Sequence, residues 1–186
     1  INIKYSKEEI NNCHLTNNLA DQIDLDFCFA KIYNCSFSPS LIDSNGDGMD
    51  LSNSYSIITK CDFTNFLDKG LSIGEKSRAI ISNCSFSKNK TAIAIKDETK
   101  VFSSDNKFNL NNLDYHMFIK KSIFNNPIFY IKENIKELKI NIEKGNKFSI
   151  DKQELIGENN RFITYFNTYR ANSNISSKIY LNSIIK

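Results

Sequence analysis

Five short segments in the first two thirds of this chain share one register. They are Asn12-Cys13-His14-Leu15, Asn34-Cys35-Ser36-Phe37, Lys60-Cys61-Asp62-Phe63, Asn83-Cys84-Ser85-Phe86 and Asp105-Asn106-Lys107-Phe108. Their last residues lie 22, 26, 23 and 22 positions apart. Apolar or β-branched residues precede them, as in Lys31-Ile32-Tyr33, Ser56-Ile57-Ile58 and Ala79-Ile80-Ile81. A unit this short cannot bury its own apolar face and must stack on its neighbours. A second strand emerges on counting back from each Phe: Ile23/Leu25, Met49/Leu51, Leu71/Ile73 and Ile93/Ile95 align as inward pairs. Asp24, Asp50, Ser72 and Ala94 lie between them, and Asp26, Ser52, Gly74 and Lys96 follow; the two-residue alternation of a strand turns both sets outward. No L-x-x-L-x-L frame is present, and the period-two pattern excludes helical repeats. The fold class this predicts is all-β: a right-handed parallel β-helix solenoid of about 22–26 residues per coil.

The coils are expected over residues 1–157, most clearly over 8–115. The alternation weakens after Leu113 and has no register from Glu158 to Lys186. A solenoid must close its open end, so 158–186 is the expected irregular C-terminal cap. With 186 residues and 40 % apolar content, the chain builds one long core. The net charge of +3 comes from interspersed signs and predicts no nucleic-acid partner. No apolar run reaches the roughly 18 residues of a membrane helix, so no membrane insertion is expected. Ile1-Asn2-Ile3-Lys4-Tyr5 already alternates like a strand. The expectation is a module cut from a larger, exported bacterial protein, extracellular or at the cell surface, with an upstream domain as neighbour.

Four of the five cysteines (Cys13, Cys35, Cys61 and Cys84) occupy one register position, and Cys28 stands apart. Adjacent coils sit about 4.8 Å apart, a spacing that suits a column of buried free thiols packing as small hydrophobes. The chain has no C-x-x-C, and His14 and His116 lie far from any cysteine pair, which argues against zinc.

The 26-residue coil is three to four residues longer than its neighbours, and the extra length is expected in 43–50. Asp43-Ser44-Asn45-Gly46-Asp47-Gly48 reads D-x-N-x-D-G, the opening of a calcium loop. Asp43, Asn45 and Asp47 are the candidate ligands, with Asp68 or Glu75 of a neighbouring coil as a closing acid. The competing reading is a polar turn, since Asp, Asn and Gly favour turns.

The same loop, followed by Asp68-Lys69-Gly70-Leu71-Ser72-Ile73-Gly74, resembles the polygalacturonase-type glycosidases of the pectin-lyase-like superfamily. Those enzymes carry N-T-D-G, then a D-D pair one coil on, then G-H-G and R-I-K. Here Gly46 replaces Thr, Asp68-Lys69 stands in place of two acids, and Ile95-Lys96-Asp97 is the nearest counterpart of R-I-K. The resemblance covers roughly residues 27 to 110. The segment from Asp68 to Ser77 is also similar to the surface repeats of NosD-like, carbohydrate-binding β-helices.

A glycosidase needs one protonated and one ionised carboxyl, about 5–5.5 Å apart for retention or 6.5–9.5 Å for inversion. Aligning Met49 with Leu71 stacks Lys69 over Asp47, with Asp21 on the other side. Lys69 is then expected to lower the pKa of its carboxylate neighbour, the opposite of what a general acid needs. The leading expectation is therefore a non-catalytic, polysaccharide-recognising module whose ligand strip comprises Asp24, Asp50, Ser72, Glu75 and Lys96. The alternative is a calcium-assisted or acid-catalysed hydrolase or lyase using Asp47, Asp50, Asp68 and Lys69, with Lys69 or Lys96 as a base near the sugar C5. A third reading is a structural spacer or oligomerisation element. Tyr33, Tyr55 and Tyr115 are candidates for stacking on sugar, against a competing role in interior packing.

Overall fold

The computed structural model describes residues 1–39, 45–132, 138–143, 146–150, 153–156 and 162–164. The first coil is β1 (Asn2–Lys4), β2 (Lys7–Asn11) and β3 (His14–Leu15), and the second is β4 (Ile23–Asp26), β5 (Phe29–Tyr33) and β6 (Ser36–Phe37). The third is β7 (Met49–Ser52), β8 (Tyr55–Thr59) and β9 (Asp62–Thr64); the fourth is β10 (Lys69–Gly74), β11 (Arg78–Ser82) and β12 (Ser85–Ser87). The fifth comprises β13 (Thr91–Lys96), β14 (Lys100–Ser104) and β15 (Lys107–Asn109). Next come β16 (Leu113–Phe118), β17 (Ile128–Lys132), β18 (Lys139–Ile142), β19 (Lys147–Ile150), β20 (Gln153–Ile156) and β21 (Phe162–Thr164).

Equivalent strands of successive coils pair in parallel and form three sheets. Sheet A runs β1-β4-β7-β10-β13-β16-β18-β21, sheet B runs β2-β5-β8-β11-β14-β17-β19-β20, and sheet C runs β3-β6-β9-β12-β15. Met49 pairs with Leu71 and with Ile23, as the repeat predicts. The parallel order ends at β18 and β19, which take β21 and β20 antiparallel. That reversal covers strand edges that would otherwise be open. The cap expected over 158–186 lies outside the described residues apart from Phe162–Thr164.

The core lies between the three sheets, and each inward column is a run of like residues. Phe37, Phe63, Phe86 and Phe108 stack face to face, with centroids 4.6, 4.9 and 5.4 Å apart. These distances follow the rung spacing of about 4.8 Å, and each fully buried ring contributes about 1.5–3 kcal/mol. All five cysteines are free. Cys35, Cys61 and Cys84 are buried, and each thiol donates to the carbonyl two residues back. Cys13 departs from the expected buried column: it belongs to the first coil and is exposed. A smaller apolar cluster sits on the outer face of sheet B, where Ile80 and Phe102 pack with Ile57 and Tyr130.

Left-handed residues turn the two tight corners. Between sheets B and C, Asn12, Asn34, Lys60, Asn83 and Asp105 hold φ of 52–57°. Between sheets A and B the position is held by Tyr5, Phe27, Asn53, Glu75 and Asp97, with φ of 50–55°. The conformation costs an L-residue about 1–2 kcal/mol, least for Asn and Asp. In return, the amide of the corner residue reaches the next coil, as in Asn12 N–H to Tyr33 O (3.1 Å) and Phe27 N–H to Ser52 O (3.0 Å). The ladder of hydrogen bonds therefore continues round the B–C bend at Asn12, Asn34, Lys60 and Asn83, and round the A–B bend at Tyr5 and Phe27.

Candidate functional site

The long coil re-enters register earlier than the sequence suggests. Gln22 N–H donates to Asp47 O, and Gly48 N–H donates to Lys69 O. Asp47 and Gly48 are thus rung residues, held between the coils on either side. Gly46 lies so close to the coil below that a Cβ would stand 2.2 Å from the carbonyl carbon of Ala20. No Thr fits there, which accounts for the departure from N-T-D-G. Five positions separate Leu15 from Ala20 and nine separate Phe37 from Gly46, so the inserted length lies before Gly46 rather than across 43–50. Asp43 lies outside the described residues.

Lys69 stacks over Asp47, as the register predicts. Asp47 Oδ1 accepts the Lys69 backbone N–H (3.1 Å) and lies 3.3 Å from Lys69 Nζ. The same ammonium reaches Asp68 Oδ2 at 2.5 Å, while the Asp47 amide donates to Asp21 Oδ1 at 2.6 Å. One cation therefore bridges Asp47 and Asp68 and fills the space where a glycosidic bond or a water would lie between a catalytic pair. The expected sign of the Asp47 shift is reversed. Burial raises its pKa to about 6, against the downward pull of Lys69, because desolvation of an 8 % exposed carboxylate outweighs one neighbouring charge.

Two of the three candidate calcium ligands at this loop, Asn45 and Asp47, are described. Asn45 is exposed, Asp47 is already engaged by an ammonium, and Glu75 pairs with Lys121 at the A–B corner. Among the described residues no three His, Cys, Asp or Glu side chains converge on one point.

The outward file of sheet A carries Asn2, Asp24, Asp50, Ser72, Ala94, His116 and Asn141 on successive rungs. Asp24 and Asp50 are half-buried neighbours. Burial, followed by the charges of Asp26 and Asp50, raises the Asp24 pKa. Ser72 faces outward but is fully buried. The reason is Lys96, which lies back across Gly74 and donates to Ser72 Oγ at 2.7 Å; a Cβ on Gly74 would stand 3.2 Å from Lys96 Cε. Lys96 is itself nearly buried, and burial lowers its pKa against the pull of Asp50, whose Oδ1 is 3.7 Å from Nζ. That distance is too long for a hydrogen bond, and Asp50 Oδ1 has no donor.

His116 joins the file one rung beyond Ala94 and stands 3.3 Å from Glu143. Burial holds it below the usual histidine range, against Glu143. Adding 22 to Ala94 reaches His116, whereas no spacing in the repeat points to Glu143. The structure thus gathers Asp47, Asp50, Asp68, Lys69, Ser72 and Lys96 on one face, with Asp24 below and His116 above, and puts Glu75 at its margin. Of the stacking candidates, Tyr115 is buried, Tyr55 half-buried and Tyr33 exposed.

Stacked parallel rungs, three sheets and a polar file on sheet A together define a parallel β-helix. Residues 1–162 match the right handed beta helix region family, and the chain belongs to it. The match is consistent with the pectin-lyase-like resemblance and spans nearly all the described strands. No curated protein sequence matches the chain.

Proposed function

We propose that the chain is a polysaccharide-recognising β-helix module whose glycan lies across the rungs on the outer face of sheet A. The observation that carries this reading is Asp50. Its carboxylate sits in the middle of the file: Oδ1 is turned inward, 3.7 Å from the Lys96 ammonium, while the side chain remains 27 % exposed. The exposed part of this ionisable carboxylate is free to accept a sugar hydroxyl, a hydrogen bond strengthened by the charge. Asp24, Asp68 and Lys69 extend the polar surface on either side. The rung repeat suits an extended polymer, because polar groups recur about every 4.8 Å.

A second reading, proton abstraction by a lyase, draws support from Lys96. A lysine whose pKa is lowered by burial is what a general base requires. From a uronate it would take the C5 proton as the C4–O glycosidic bond breaks, the electron pair forming a C4–C5 double bond and the leaving oxygen taking up a proton. Affinity electrophoresis on neutral and uronic-acid polysaccharides, with and without calcium, tests the first reading. Reducing-end release on the same panel tests the second, with Lys96→Met and Asp47→Ala as controls. Retardation that weakens in Asp50→Ala without turnover supports the binding module. Turnover that yields an unsaturated uronate, read by its ultraviolet absorbance, and that is lost in Lys96→Met makes the chain a lyase. Neither retardation nor turnover on any glycan leaves a structural spacer.

A further inference from the structure

A groove of about 800 Å³ runs along the corner where sheet A passes into sheet B, and none of its lining residues belongs to the Asp47 cluster. One wall is the ring pair Tyr5–Phe27, stacked at 4.9 Å with planes 7° apart. The other is Phe29–Tyr55, at 5.7 Å and 15°. Cations close the second wall at both ends: Lys7 Nζ lies 5.8 Å from the Phe29 centroid, and the Arg78 guanidinium 5.8 Å from that of Tyr55. Lys76 also lines the groove, and no carboxylate does.

Two further observations point to a ligand. Tyr5 is 76 % exposed on the first coil, and Phe27, with a coil on either side, is still 48 % exposed, so core packing does not explain the pair. Both also hold φ of 55°, a region that bulky side chains rarely enter, whereas the same corner one coil later carries Asn53. Backbone preference therefore does not explain them either. Strain of this kind gathers at ligand sites.

We propose that this corner groove binds an acidic glycan. Its sugar ring lies against the exposed Tyr5–Phe27 pair, and its anionic groups face Lys7, Lys76 and Arg78, of which Lys7 and Arg78 cap the Phe29–Tyr55 pair. The volume falls within the roughly 300–1,000 Å³ of ligand pockets. The wall from Tyr5 through Phe27 to Asn53 crosses two rung steps, about 10 Å in all, which suits a short oligosaccharide. A single-stranded nucleic acid would need a continuing basic track. Here Asp26 and Glu75 adjoin the lining residues, and Glu98 lies 4.0 Å from Lys76. The inference stands apart from the sheet A reading, since it rests on different residues.

Calorimetric titration of the full chain at about 0.15 M salt with an oligouronate, a sulfated oligosaccharide, a neutral oligosaccharide and a single-stranded oligonucleotide tests it. At least one acidic glycan binds, and whichever binds more tightly identifies the anionic group as carboxylate or sulfate. Tyr5→Asn with Phe27→Asn weakens that binding roughly tenfold or more, while the melting temperature holds or rises, because Asn suits the corner better than a ring. Lys7→Gln with Lys76→Gln, both exposed, removes the preference for acidic over neutral sugar. Lys107→Gln, which removes an exposed cation on sheet C away from both faces, leaves the acidic-glycan affinity unchanged. Three results overturn the inference: no acidic glycan binds, both double variants bind as tightly as the parent, or the oligonucleotide binds more tightly than either glycan. Acidic-glycan binding lost in Asp50→Ala alone places the ligand on sheet A, which overturns the corner site and leaves the sheet A reading standing.

Discussion

Two columns of side chains climb this molecule at the same rung spacing, one inside and one outside, and they obey opposite rules. Inside, Phe37, Phe63, Phe86 and Phe108 repeat one residue and one geometry, with neighbouring planes within 10°. Outside, the file runs Asp24, Asp50, Ser72, Ala94 and His116, repeating Asp once and then changing chemistry at every rung. Stacking rewards identity, since like residues fill like spaces and each ring packs on the one before. A site requires the reverse, because unlike groups must meet. In a solenoid, the rungs where the outward file stops repeating are therefore where chemistry can collect. The cluster of Asp47, Lys69, Asp50 and Lys96 occupies such rungs.

The comparison breaks most visibly from the inside. Phe63→Ala opens a cavity in the middle of the stack and should cost about 3–5 kcal/mol, read as a fall in the denaturation midpoint. An equally mild effect from Phe63→Ala and from an outward substitution would show that the column does not carry the fold.

Asp47 comes next, and its signature is pH. Its folded pKa of about 6 lies above the ordinary 3.8, so the folded state holds the proton more tightly than the unfolded chain does. The parent should be most stable below about pH 4 with respect to this group. It should lose about 2–3 kcal/mol between pH 4 and 6, an upper bound from the shift. Asp47→Asn should flatten that window in urea melts at a series of pH values. An unchanged slope would place the carboxylate in a far wetter setting.

Asp50→Ala should weaken retention of a sheet A glycan about tenfold, the loss of one hydrogen bond to a charged group. Its effect on the melting temperature should be much smaller than that of Phe63→Ala. The smallest change expected is a gain. Lys60 holds φ of 54° in a corner column that is otherwise Asn or Asp, and Asn34 already donates to Asn12 at 2.7 Å in that column. Lys60→Asn should raise stability by about 0.5–1 kcal/mol, measurable as a rise of a few degrees in the melting temperature. A loss would mean that the bond from Lys60 to the Tyr33 hydroxyl outweighs the backbone preference.

Spacing alone determined the coil length, the inward columns, the outward file and the stacking of Lys69 over Asp47. Each of these depends on counting residues along a rigid, periodic backbone, and a strand leaves its side chains only two faces to choose between. The matched corner positions at Asn12, Asn34 and Asn83 were legible for the same reason. Only the tertiary structure decided the rest. The sign of the Asp47 shift depends on how much water reaches the carboxylate, and no spacing encodes that. The covering of Ser72 depends on Lys96 lying back over Gly74, a choice of rotamer and free space. The place of the inserted residues depended on Gly46 meeting the backbone of Ala20, and the corner groove on two stacked ring pairs lining one bend. Periodicity reports which residues share a face; burial, charge and reach are set by what packs against that face.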